Sequence, residues 1–197
     1  MISAPSGAGK TSLVKALLQS RPRLSLSVSN TTRAPRPHEV AGQAYHFVSV
    51  ERFQQLIAAG AFLEHARVFD NFYGTGREQV EQKLAAGLDV VLEIDWQGAR
   101  QVRAAAPDCV SIFILPPSRD ALRQRLVDRK TDTSEVISRR LADAALDMSH
   151  CPEFDFAVVN DAFDQALGQL GEILDGRGEA LAASRPEIAA LLPKLLA

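Results

Sequence analysis

The chain has 197 residues, of which 46% are hydrophobic and 23% charged, and a formal net charge of −2. That balance excludes a disordered tail, a collagen or a disulfide scaffold, and it argues against a protein that grips a nucleic-acid polymer by its backbone. Two cysteines, no secretory leader at the start and no apolar run near the ~20 residues of a membrane span point to a reduced, cytoplasmic protein with no membrane anchor.

In chain order the first feature is Ala4-Pro5-Ser6-Gly7-Ala8-Gly9-Lys10-Thr11. A phosphate loop needs small residues so that successive N–H groups can turn onto an anion, and a helix N-terminus behind them. It also needs a Lys to reach the outer phosphates and a hydroxyl for Mg²⁺. Lys10, Thr11 and the amphipathic run after them meet these needs. The pattern G-x-x-x-x-G-K-[ST] departs only at its first place, where Ala4 stands. Only Ile2 and Ser3 precede the loop, shorter than a first strand should be, so a misassigned start or a shortened chain is expected.

The spacing predicts a helix over 11–19, stopped by Arg21-Pro22, and a strand over 24–28. Residues 30 to about 85 differ: a Pro-broken basic loop (Thr31 to Pro37), a strand over 45–48, a helix bearing Phe53, Leu56 and Ile57 that ends at Gly60, a strand over 62–68 and a turn over 71–76. This block reads as an inserted substrate-holding subdomain. Apolar strands follow at 90–95 and 110–115. Ser118 is placed to cap a helix carrying Ala121, Leu122 and Leu126. A polar break over 128–135 precedes a helix over 135–148, a strand over 156–159, a long helix over 164–174 and a helical tail. Alternating βα units imply an α/β fold with a central parallel sheet.

Chemistry-bearing residues cluster in a few places. Of the 22 Lys and Arg, 17 are Arg. Arg33 and Arg36, three apart, can clamp one dianionic phosphate; the plain alternative is a solvated basic loop. Glu64 interrupts an apolar strand. Its carboxylate can accept a pair of hydrogen bonds from adjacent donors; the plain alternative is a solvent-facing strand residue. Glu93 and Asp95 close a strand at the edge where ligands bind in such folds. His38, His46, His65 and His150 share no ligand spacing, and Cys151-Pro152 reads as a helix-ending turn.

Together Ser29-Asn30-Thr31-Thr32-Arg33-Ala34-Pro35-Arg36, Tyr45, Phe62-Leu63-Glu64-His65-Ala66, Tyr73-Gly74-Thr75, Glu93-Ile94-Asp95-Trp96-Gln97-Gly98 and Val159-Asn160-Asp161 closely resemble guanylate kinase, over residues 3 to about 174. The resemblance implies a P-loop NTPase three-layer fold in a single domain, with a GMP-binding subdomain over about 30–85 and a lid over about 128–145. It implies Mg²⁺-dependent transfer of the ATP γ-phosphate to GMP, and to dGMP, in purine metabolism. ATP would lie on Ala4, Pro5, Ser6, Gly7, Ala8, Gly9, Lys10 and Thr11, with Thr11 on Mg²⁺. The GMP phosphate would meet Arg33 and Arg36 with Ser29, Tyr45 and Tyr73, and its base Glu64 and Thr75 beside Gly74. Glu93, where the family more often has Asp, and Asp95 would contact GMP or hold the clamp. Arg129 and Arg140 would act from the lid, which has Lys130 where a glycine is frequent, and Asn160 would face the adenine. Two other readings stand beside this one. A P-loop kinase with an acceptor such as a ribose bisphosphate should lack Glu64 and the two tyrosines. A non-catalytic guanylate-kinase-like interaction module typically loses the phosphate loop.

Overall fold

The computed structural model describes residues 1–37, 39–68, 70–128 and 134–197, with the backbone alone at 134 and 135. The elements run β1 (Ile2–Ser3), α1 (Lys10–Ser20), β2 (Leu24–Leu26), β3 (Asn30–Thr31), β4 (His46–Phe47), α2 (Val50–Ala58), β5 (Phe62–Val68) and β6 (Asn71–Gly76). Then come α3 (Arg77–Ala85), β7 (Asp89–Val91), α4 (Trp96–Ala105), β8 (Ile112–Leu115), α5 (Arg119–Asp128), α6 (Ser134–Ser149), β9 (Phe156–Val159), α7 (Phe163–Leu174) and α8 (Pro186–Leu196). Two compact units result, one of Arg21–Cys109 with Met1 and the other of Ile2–Ser20 with Val110–Ala197.

In the second unit β1, β8 and β9 form a parallel sheet in the order β1-β8-β9. Every residue of β8 is at most 1% exposed, which is why Ile112-Phe113-Ile114-Leu115 is a continuous apolar run rather than an alternating one. Asp155 pins the entry to this sheet. Its Oδ2 accepts from the Ser111 N–H at 2.8 Å and the Ser111 hydroxyl at 2.6 Å. Helix α1 buries Leu13, Val14 and Leu17 and packs on α7, which buries Ala166, Leu170 and Ile173. Ser118 caps α5 as expected, its Oγ accepting from the Ala121 N–H at 3.0 Å.

In the first unit β2 and β7 pair in parallel, and a four-stranded sheet has the order β4-β3-β6-β5. Its core is Phe53 of α2, fully buried, with ring centroids of Phe62 and Phe72 at 4.6 and 5.5 Å. The Ser49 hydroxyl caps α2 by accepting from the Arg52 N–H. Strand β5 lies at the sheet's edge, where the Gln101 side chain of α4 pairs with the His65 backbone. It donates to His65 O at 2.7 Å and accepts from His65 N at 3.1 Å.

The α/β architecture with parallel strands is the expected one, and β5 and β9 have their expected limits. One segment departs from expectation in kind. Residues 71–76 are not a turn but β6, which pairs antiparallel with both β5 and β3. The two glycines that suggest a turn lie in a strand whose ladder hydrogen bonds come from both neighbours. Helices α3 and α4 add to the expected set. The strand after Gly87 is shorter than its apolar run, and the expected helical tail is α8. Among the described residues no helix is long and apolar enough to cross a membrane.

Candidate active site

In the second unit β1 runs into the loop over residues 4–9, and α1 begins at Lys10. Gly7 and Gly9 have φ of 96° and 93°, in the left-handed region that side-chain-bearing residues avoid. Alternating such residues with right-handed ones turns N–H groups inward on an anion. Space demands these glycines as well. A Cβ on Gly7 would lie 2.9 Å from Leu122 Cδ1, and one on Gly9 would run into the Asn160 amide.

That amide braces the loop. Asn160 is 5% exposed and its Nδ2 donates to Ala8 O at 2.7 Å. Its own backbone N–H donates to Leu115 O at 2.8 Å, and its carbonyl accepts from Arg125 Nη2 at 2.8 Å. The expected residues Ala4, Pro5, Ser6, Gly7, Ala8, Gly9, Lys10 and Thr11 are thus one structure at the positive end of an eleven-residue helix. Lys10 is half-buried and Thr11 exposed in its first turn.

The donor set suits Mg²⁺ arriving with a nucleotide. Mg²⁺ keeps several waters and takes few protein oxygens besides phosphate, and Thr11 offers one exposed hydroxyl. No group of three or more His, Cys, Asp or Glu that could cage a metal occurs among the described residues.

In the first unit Glu64 of β5 faces Thr75 of β6 across the ladder. Glu64 as a whole is 4% exposed, and its Oε1 accepts from the Thr75 hydroxyl at 2.5 Å. Tyr73 of β6 and Tyr45, just before β4, meet edge to face at 5.8 Å, and the Arg33 guanidinium lies 5.5 Å from the Tyr45 ring centre. Burial above all, with Tyr73 and Glu93 nearby, pushes the Tyr45 hydroxyl up to about 12. It therefore keeps its proton and remains a hydrogen-bond donor at neutral pH. The loop after β3 is stitched down by threonines: Arg33 N donates to Thr31 Oγ1 and Phe72 N to Thr32 Oγ1. Ser29 is buried, its carbonyl holding the His46 N–H, and Gly74 is buried against Phe53 and Phe62.

Sequence reasoning missed Glu39. Both its oxygens accept from Arg33 Nη2, at 2.7 and 2.9 Å, and Oε2 accepts from the Arg36 N–H at 2.8 Å. The hydrogen bond with Arg33 holds the Glu39 carboxyl below its ordinary range and raises the Arg33 guanidinium. The pair's contribution is therefore complete above the ordinary carboxylate range and is lost as pH falls through the lowered value. The sequence signal was an acid three residues after Arg36, but the contact needs the turn in which Glu39 N bonds Arg36 O.

The remaining expected residues are placed as follows. Asp95 caps α4, its Oδ1 accepting from the Gly98 N–H at 2.7 Å. Arg140 lies half-buried on α6. Arg129, Lys130 and His38 lie outside the described residues. Cys151 is buried in a short 3₁₀ turn, and burial pushes its thiol up to about 12, so it is no nucleophile at neutral pH. A cavity of about 350 Å³ lined by Asn30, Leu56, Phe62, Arg77 and Gln79, among others, includes none of the expected site residues.

A family model described as guanylate kinase matches residues 1–177. A guanylate kinase of Alkalilimnicola ehrlichii is 55% identical over 196 residues, covering 100% of this chain and 97% of that protein. One of Methylococcus capsulatus is 55% identical over 196 residues, covering 100% and 96%. A crystal structure of guanylate kinase from Anaplasma phagocytophilum superposes with a TM-score of 0.75 at 34% identity, covering 97% of this chain and 90% of that one.

Proposed function

The chain belongs to the guanylate kinase family, and from that premise we infer how its own residues carry the reaction. It is an ATP:GMP phosphotransferase: the γ-phosphate of ATP passes to GMP, giving ADP and GDP. The observation that carries the residue-level reading is the buried Glu64–Thr75 pair on the sheet that also holds Tyr73, with Arg33 and Tyr45 in the loops beside β3 and β4. A ribose bisphosphate acceptor has no use for that carboxylate. A non-catalytic module has no use for the braced phosphate loop.

Phosphoryl transfer asks for in-line placement and charge neutralisation, with little covalent help. We assign Lys10 and the N–H groups of residues 4–11 to the donor phosphates, and Arg129 and Arg140, in a lid over 128–145, to the charge of the departing phosphoryl group. Asn160 we place beside the adenine, in addition to its hold on Ala8. Within the subdomain over 30–85, Arg33, Arg36, Ser29 and the Tyr45 and Tyr73 hydroxyls hold the acceptor phosphate. Glu64, with Thr75 and Gly74, reads the guanine edge. Glu93 and Asp95 orient GMP or the clamp. The acceptor phosphate is already anionic, so no general base is needed. Mg²⁺, held by Thr11 together with nucleotide phosphates, supplies charge neutralisation when bound. We extend the reading to dGMP as acceptor and to a cytoplasmic setting.

A coupled ADP-release assay over a panel of nucleoside monophosphates tests this reading. GMP and dGMP should turn over, and AMP, CMP and UMP should not. Equal rates with AMP would overturn it.

Glu39 carries a prediction of its own. It orders Arg33, whose side chain is 16% exposed. Once freed from Glu39, the Arg33 side chain has to be ordered by GMP itself, at a cost of about 1–2 kcal/mol of rotamer freedom that salt does not screen. The repulsion between a partly exposed carboxylate and an incoming phosphate is screened. Ordering should therefore win. Glu39→Ala is expected to raise the KM for GMP about tenfold, and Glu39→Gln, which keeps the accepting oxygen, much less. Tighter GMP binding by Glu39→Gln would show that repulsion dominates.

A further inference from the structure

Gly98 is the third residue of α4, in a helix where its φ is not positive. No backbone constraint calls for glycine there, and glycine is a poorer helix former than alanine. What calls for it is space. A Cβ on Gly98 would overlap Glu64 Oε2, lie 3.0 Å from Glu64 Cδ and 3.4 Å from Asp95 Oδ1. The Glu64 carboxylate is thus wedged between the Thr75 hydroxyl and the first turn of α4, whose partial positive charge favours an anion.

We propose that Gly98 is a positioning residue for base selection: its missing side chain is what lets the Glu64 carboxylate stand where it meets the donor edge of guanine. This rests on the role given to Glu64 above. An added methyl can be accommodated either by moving α4 away from β5 or by turning the carboxylate. Gln101 ties α4 to the His65 backbone through two hydrogen bonds, at 2.7 and 3.1 Å, and the neighbouring turn is held by Asp95. The carboxylate is the part that gives.

The test is Gly98→Ala in the full chain, with kcat and KM measured for GMP and AMP and the melting temperature recorded. The KM for GMP should rise at least tenfold and the GMP/AMP ratio of kcat/KM fall by about as much. The kcat at saturating GMP should stay within about threefold, and the melting temperature should fall only modestly, since the displaced carboxylate loses its hydrogen bond to Thr75 while helix propensity is gained. Shortening the acid should relieve the clash, so Gly98→Ala/Glu64→Asp should recover part of the ratio lost in Gly98→Ala. If Glu64→Ala destroys selectivity while Gly98→Ala leaves the KM and the ratio within twofold, the inference is overturned and the role of Glu64 stands. If neither changes the ratio, the role of Glu64 fails and the inference fails with it. If Gly98→Ala does not fold, folding of Gly98→Ala/Glu64→Ala supports the clash, and failure of that variant too overturns it.

Discussion

Lys10→Ala is expected to lower kcat for GMP phosphorylation about 10³-fold while the KM for GMP moves less than about threefold. Lys10 is the only cation within residues 4–11, and it opens α1 directly behind the Gly7–Gly9 bend. An ammonium on a flexible stem is a point charge that follows the phosphate oxygens as their charge redistributes. Its strongest interaction is then made at the top of the barrier, so turnover suffers rather than acceptor binding. Saturating ATP and GMP in the ADP-release assay give kcat directly, and a GMP titration gives the KM. Turnover within about fivefold of the unmodified protein would remove Lys10 from the transferring phosphates.

The second large effect is expected at Glu64. Guanine offers two donors side by side, and a carboxylate accepts both. Each charge-assisted hydrogen bond contributes about 1.5–3 kcal/mol, so Glu64→Ala should raise the KM for GMP about 100-fold or more and collapse discrimination against AMP. Glu64→Gln is the sharper probe. An amide presents one acceptor and one donor, which suits the N6 amino group and N1 of adenine and opposes one guanine donor. The GMP/AMP ratio should fall further in Glu64→Gln than in Glu64→Ala, chiefly through improved AMP turnover. An unaltered ratio in both variants would take Glu64 out of base reading. Neither change should destabilise the fold greatly, because each removes a buried charge, and in Glu64→Gln the amide oxygen can still accept from the Thr75 hydroxyl.

The parts of the molecule legible in the sequence are those whose physics is local. The phosphate loop is written in backbone terms: Gly7 and Gly9 for their φ, Lys10 and Thr11 for the start of a helix. Strands β5 and β9 have the limits that their apolar runs suggest. Other parts depend on partners distant in sequence. Residues 71–76 became β6 because both its neighbours supply ladder bonds. Helix α3 has one buried residue, Val80, and α4 buries the small Gly98 and Ala99 beside Val102, so neither shows a broad apolar stripe. Glu39 meets Arg33 only once the local turn at Arg36 forms, whereas the brace from Asn160 to Ala8 spans 152 positions. Glycine at 98 reads in sequence as a weak helix residue. Only the position of the Glu64 carboxylate reveals what it avoids.

The pairing of Gln101 with His65 bears on more than base selection. An outermost strand exposes unsatisfied amide and carbonyl groups that can template growth by a foreign chain. Gln101 imitates a neighbouring peptide unit, offering one acceptor and one donor to the same residue of β5. A side-chain amide thereby blunts, at one point along this margin, the tendency of such sheets to recruit further copies and aggregate.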